Sequence, residues 1–355
     1  MEYDVSDGDI LLGELTTGVN IVAASVARGK QQLVTADEYL NHQSRFDREA
    51  RASISPGLVD DTTLQALYLG YLANQVMPWQ ANEISLLKDI VNAMSLQYHL
   101  LSQFTLPATV YLVKTTGKEE GYAAYTRQLD TIVLPANMVA SLQTTLGYGD
   151  PLHPANDTQY LQSIITHESF HVFSKHAYVH DPLRLATLYG SIGYQFCDNE
   201  LVLPDVPWPE ATSTTRMPEL KITNPDSPCL NSYVQMQTPD SGGQSVPLMP
   251  VLMADRAYSG GAFFDYLSWY VMQIERGADG LWRACLSEQG RPVMYLMTDP
   301  ENKAMMREYL SLVGYNLTHE IFQADEVLAQ NFVLLMTRTL PSQSILNQLE
   351  HFFNS

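Results

Sequence analysis

Thr166-His167-Glu168-Ser169-Phe170-His171 decides how the rest of the chain is read. On a helix the spacing of its two histidines sets His167 and His171 on one face, one turn apart, close enough for both imidazoles to hold one metal ion. Glu168 then stands beside them as the base for a water that the metal activates. Ser169 and Phe170 are uncharged, and Ile164 and Ile165 lie just upstream, so the site has the apolar helix it needs. A helix is expected over about 159–176, with its cap in Asn156-Asp157-Thr158.

A catalytic zinc takes three protein ligands and leaves one position open. A compact third histidine would fall at Ala177, and the glycine that accompanies it would be Ser174; both mismatch. His176 is one position off and belongs to another face of the helix. The remaining route is a carboxylate from a second helix. Glu326 lies near the start of the run Asp325-Glu326-Val327-Leu328-Ala329-Gln330-Asn331-Phe332-Val333-Leu334-Leu335-Met336, where an acid is costly unless it is paired or bound to metal. One turn later Gln330 could accept a hydrogen bond from a ligand imidazole. His319, Glu320 and, in a presumed strand, Glu200 are the other ligand candidates.

Working outward, residues 10–34 read as short strands or an irregular arm. Thr35-Ala36-Asp37-Glu38 reads as a capping box opening a helix that runs to about Ile54. Further helices are expected over 61–76 and 83–104, the second capped by Asn82 and lined with core residues Ile84, Leu87, Val91, Met94 and Leu101. The period then changes to that of strands at 110–113 and 131–134. A third strand over 122–127 is expected near a sheet edge, where small Ala123 and Ala124 would let an extended peptide pair by strand addition. Beyond the central helix come a helix over 182–193, a strand over 196–203, and a proline-rich stretch over 204–243 that reads as an insertion above a cleft. A strand over 246–253 and helical segments at 261–267, 301–314, 325–336 and 342–353 complete the chain. This gives four regions: a helical one over 1–104, a sheet with the motif helix over 105–200, the insertion over 201–260, and a helical part over 261–355 that supplies the third ligand.

Against 20 Lys and Arg stand 39 Asp and Glu, a net charge of -19. Such a surface repels phosphate backbones and anionic lipid, so nucleic acid and membrane are poor partners and a neutral or basic peptide or protein fits better. Cys197, Cys229 and Cys285 are widely spaced, without the paired pattern of a disulfide framework or a cysteine zinc site. Met1-Glu2-Tyr3-Asp4 lacks the basic start of a signal peptide, and no apolar run reaches a membrane span. The expectation is a soluble chain, cytoplasmic or exported after loss of a signal.

His167-Glu168-x-x-His171 with a distant Glu326-x-x-x-Gln330 resembles the gluzincin branch of zinc metallopeptidases. There the second-helix pattern is usually Glu-x-x-x-Asp, so Gln330 departs from it. Thr115-Thr116-Gly117, Tyr125-Thr126-Arg127, Ile222-Thr223-Asn224-Pro225-Asp226 and Ala329-Gln330-Asn331-Phe332 are also similar to segments of uncharacterised bacterial zincin-like proteins. The resemblance implies an α+β fold: a mostly helical zincin-like core, a small mixed sheet ahead of the motif helix, and an inserted loop and strand lobe. It also implies peptide-bond hydrolysis with Zn²⁺, Glu168 acting as general base. Tyr258 is the first candidate for the donor that stabilises the oxyanion, with His319 and Tyr125 behind it. Two other classes compete. A carboxylate-bridged di-iron bundle needs Glu-x-x-His twice, and the chain has it once, at Glu168-x-x-His171. A catalytically inactive zincin-like protein would keep zinc and serve in binding.

Overall fold

The chain opens as a hairpin because Gly18 takes a left-handed turn (φ 81°) between β1 (Ile10–Thr16) and β2 (Val19–Ala23). The structure, a computed structural model, describes residues 8–140, 157–210, 212–314, 321–337 and 343–354. Helix α1 (Val26–Val34) follows, then α2 (Glu38–His42) and α3 (Arg45–Arg51). The single helix expected from Thr35 to Ile54 is therefore two. The Thr35 hydroxyl bonds back to the Gln31 carbonyl and closes α1, while the Asp37 carboxylate accepts the Leu40 N–H and starts α2. Ser44 and Asp47 then cap each other reciprocally and restart the chain as α3 in a new direction.

Helices α4 (Asp61–Gln75) and α5 (Ala81–Tyr98) match two of the expected helices in place. The cap of α5 is the Gln80 and Glu83 pair rather than Asn82. It also ends short of residue 104, because the N–H groups of Leu100 and Leu101 turn onto carbonyls three residues back and the chain bends away. Next come β3 (Thr109–Thr115), β4 (Tyr125–Arg127), β5 (Thr131–Pro135) and a short α6 (Ala136–Ala140). The first sheet runs β1-β2-β3-β5-β4, with β2, β3 and β5 parallel and both outer strands antiparallel. A mixed sheet thus precedes the motif helix, with β4 at its edge.

Helix α7 (Asp157–His180) carries the motif and continues past residue 176 until Asp181 caps α8 (Pro182–Gly190). A second, antiparallel sheet is built from β6 (Tyr194–Phe196), β7 (Ser232–Gln237), β8 (Ser245–Ala254), β9 (Leu267–Arg276), β10 (Trp282–Ala284) and β11 (Met294–Leu296). The strand expected over 196–203 shrinks to β6. Past it, irregular chain is tied by the Cys197 and Leu201 N–H groups to the carbonyls of Asn231 and Leu230. The helix expected over 261–267 is only a 3-10 turn at Phe263–Tyr266 that leads into β9, where Trp269, Val271, Met272 and Ile274 are buried. Helices α9 (Lys303–Val313), α10 (Ala324–Thr337) and α11 (Gln343–Asn354) close an α+β chain. Among the described residues no helix is long and apolar enough to cross a membrane.

Two features of the interior position the motif. The Phe104 ring stacks on Phe173 of α7 at 4.9 Å and on Phe332 of α10 at 4.8 Å, with Phe353 of α11 edge-on at 5.3 Å. Such aromatic pairs add about 0.5–1.5 kcal/mol each beyond area burial, and here they fix α10 against α7. The second feature is polar. Arg51 is buried and bidentate on Glu120, with 2.8 Å contacts from both Nε and Nη2, and its Nη1 donates to Asp47. Nη2 also donates to the Thr223 carbonyl at 2.9 Å, and the Asp47 carboxylate accepts the Thr223 N–H at 3.2 Å. A charge pair between α3 and the turn after β3 thereby grips the segment that passes over α7. Replacing Arg51 with Ala leaves two buried carboxylates without their cation, and a loss of about 3–5 kcal/mol of stability is expected. Urea unfolding of Arg51→Ala beside the parent chain measures it.

Candidate metal centre

His167 and His171 stand one turn apart on α7, and Glu326 stands in the first turn of α10, brought to them by the aromatic stack. All three are buried. The two Nε2 atoms are 2.9 Å apart, and Glu326 Oε2 lies 3.2 Å from that of His167 and 3.3 Å from that of His171. A tetrahedral ion with bonds of about 2.0 Å holds its ligand atoms about 3.3 Å apart, so the trio already has nearly the spacing of one face of such an ion. Two imidazole nitrogens and a carboxylate oxygen aimed at one point are a donor set that could hold a metal ion.

The electrostatics are those of a site holding opposite charges in a dry interior. Burial alone would raise the Glu326 carboxyl, but His171 and His167 beside it hold it well below the usual carboxylate range. Burial alone would lower the His171 imidazole, and the Glu326 and Asp226 carboxylates instead push it up to about 9. The His171 imidazole, facing Glu326, therefore holds its proton more tightly than a free histidine does.

Residues that sequence reasoning did not single out as ligand partners complete the centre. Asn224 Nδ2 donates to Glu326 Oε1 at 2.6 Å and to Gln323 Oε1 at 2.9 Å, so the carboxylate is held by its second oxygen while the first faces the histidines. Asp226 offers a carboxylate oxygen within 4.8 Å of donor atoms of both Glu168 and His171. It also accepts the Thr126 N–H at 2.7 Å. Lys175, a turn past His171, donates to the Thr126 carbonyl at 3.2 Å and to the Pro225 carbonyl at 2.7 Å. Thr126 points its N–H and carbonyl away from β5, so Asp226 and Lys175 occupy the outer edge of β4 there. The edge expected over 122–127 is thus closed at Thr126. Ala123 and Ala124 instead face a cleft of about 90 Å³ shared with His167, Glu168, Phe264 and Phe322.

Other expected residues lie elsewhere. Tyr258 is buried against Phe46 and Tyr266, its hydroxyl donated to the Gly261 carbonyl at 3.4 Å, and it is not among the residues lining the cleft. The Tyr125 hydroxyl donates to Glu119 at 3.4 Å. Glu200 sits on His42 at 2.8 Å instead of joining the trio. His176 pairs its ring with that of His180 at 4.3 Å, and Ser174 donates its hydroxyl to the His171 carbonyl. Gln330, expected to accept a hydrogen bond from a ligand imidazole, is half-buried on α10, and Asn224 holds Glu326. His319 and Glu320 lie outside the described residues. Comparisons with known families, with characterised proteins and with solved structures return no match.

Two outcomes are expected. An incoming cation must displace the His171 proton, so uptake at pH 7 should release about one proton per ion, and affinity should rise with pH until about 9, where the imidazole is already neutral. Titration calorimetry in buffers of different ionisation enthalpy reads both. Asn224→Ala should weaken metal binding by about 10–100-fold, measured by competition with a chelator, because Glu326 loses the donor that orients it.

Proposed function

We propose that the chain is a zinc metallopeptidase, a hydrolase that cleaves peptide bonds in a peptide or protein substrate. The observation that carries this reading is the convergence of His167, His171 and Glu326 at the spacing of a tetrahedral ion, with buried Glu168 on the wall of the same cleft. Two histidines and a glutamate suit zinc, and a three-ligand set is the catalytic rather than the structural arrangement. Bound zinc supplies Lewis acidity towards a water molecule and a scissile carbonyl.

The chain's own residues do the rest. His167, His171 and Glu326 hold the ion, and Asn224 keeps the Glu326 carboxylate turned towards it. Glu168, adjacent in sequence to one ligand and a turn from the other, takes the proton from the attacking water and returns it to the departing amine. Asp226 acts beside His171 as a fixed negative charge that favours the orientation of its ring. Ala123 and Ala124 offer a wall low enough for a substrate backbone to approach, and Phe264 and Phe322 narrow the cleft against bulk water.

Glu168→Gln separates catalysis from metal binding. The variant should retain one zinc per chain while hydrolysis of a mixed peptide library falls by about 10²–10⁴-fold. Loss of zinc in this variant, or no cleavage of any library peptide by the zinc-loaded parent chain, would turn the reading to a zincin-like protein that binds without cutting.

A further inference from the structure

A second group of metal-binding side chains lies apart from the first, where α2 meets the chain that follows Asp226. Glu38, His42 and Cys229 each offer a donor atom, all within 4.8 Å of one another. Cys229 Sγ is 4.0 Å from His42 Nε2, Glu200 Oε2 lies 2.8 Å from that nitrogen, and Glu38 Oε2 lies 3.4 Å from His42 Nδ1. The other ring nitrogen is spoken for: His42 Nδ1 donates to the Glu38 carbonyl at 2.5 Å. That bond fixes the ring so that Nε2 faces the Cys229 thiol, the orientation by a second-nitrogen hydrogen bond that metal-bound histidines show. Glu200 is itself steadied by the Leu230 N–H. Lys221, whose Nζ donates to the Pro228 carbonyl at 3.2 Å, supplies a positive charge close to this group of acidic ligands. Glu38 and Cys229 both line a cavity of about 310 Å³, which gives an ion a way in.

We propose that His42, Cys229 and Glu38 form a second site for a thiophilic divalent metal ion of the zinc class, with Glu200 hydrogen-bonded to His42 beside it. Sulfur, imidazole nitrogen and a carboxylate are a mixed donor set that suits such an ion, and the sulfur sets this site apart from the first. Its consequence follows from what it joins. Cys229 belongs to the segment that carries Asn224 and Asp226 to the catalytic ligands, and His42 belongs to α2. A metal there staples that segment to the N-terminal helices, adding to the hydrogen bond of Thr223 Oγ1 on the His42 carbonyl.

Cobalt(II) tests the site without reference to hydrolysis, because only a cysteine ligand gives an intense sulfur-to-cobalt charge-transfer band in the near ultraviolet. The parent chain should bind two Co²⁺ and show the band. The double variant His167→Ala, Glu326→Ala should keep one Co²⁺ and the whole band. Cys229→Ser should keep one Co²⁺ and lose the band, and His42→Gln should weaken the banded ion by at least about tenfold. The parent chain should also melt at a higher temperature with the second equivalent of metal than with the first, and Cys229→Ser should not. A parent chain without the band overturns the proposal. So does a band that survives in Cys229→Ser, which would assign it to Cys197 or Cys285.

Discussion

A carboxylate and two imidazoles pressed together inside a dry interior are the constraint around which the chain is arranged. A buried charge is tolerated only when it is paired and its remaining lone pairs are satisfied. Glu326 meets both conditions at once, with one oxygen against His167 and His171 and the other on Asn224. Each partner comes from a different part of the sequence, so the site forms only when α7, α10 and the 221–226 segment are all in place. The Phe104 stack holds the two helices, and Arg51 with Asp47 and Glu120 holds the segment.

The support is layered, and each layer has its own chemistry. Nearest the ligands, neutral Asn224 and charged Asp226 set ring and carboxylate orientation. Beyond them, Lys175 and Thr126 anchor Asp226 to the edge strand, so the sheet and the motif helix share one hydrogen-bonded seam. Beyond that again, the Arg51 cluster ties the same segment to α3. The edge strand therefore has two jobs along its length. At Thr126 it braces the centre, and at Ala123 and Ala124 its approach borders the cleft.

Parts of this were legible in the sequence because they rest on local rules. The four-residue step from His167 to His171 needs only helix geometry, and Glu326 stood out as an acid in an apolar run. The strands ahead of α7 also followed from the change of period, while the mixed sheet they form was what the resemblance implied. What escaped was set by tertiary contacts. Asn224 and Asp226 lie in a proline-rich stretch with no period, where nothing local separates a ligand-orienting amide from any loop residue. Thr35 and Asp37 both satisfy the rule for a helix start, and only the bond from Arg127 to Asp37 and the turn at Ser44 decide between them. Tyr258 carried no local sign that its ring packs on Phe46 and Tyr266.

The first turn of α10 sets two neighbouring carboxyl groups in different surroundings. Asp325 and Glu326 are consecutive and both buried, and two carboxylates so close would repel if both were ionised. Their surroundings separate them. Burial raises the Asp325 carboxyl, and the relief it draws from His171, Tyr189 and Ser174 does not undo that rise. Glu326, facing both imidazoles, is driven the other way. Neighbouring groups pushed apart in this manner take different roles. Glu326 turns its carboxylate to the two imidazoles, where a metal ion could be held, and Asp325, its carboxyl raised by burial, lies behind it, lining the larger cavity. One carboxylate among the three candidate ligands leaves room for a divalent cation to exceed its ligands in charge. That excess is what a site must have if it is to polarise a substrate rather than merely hold an ion.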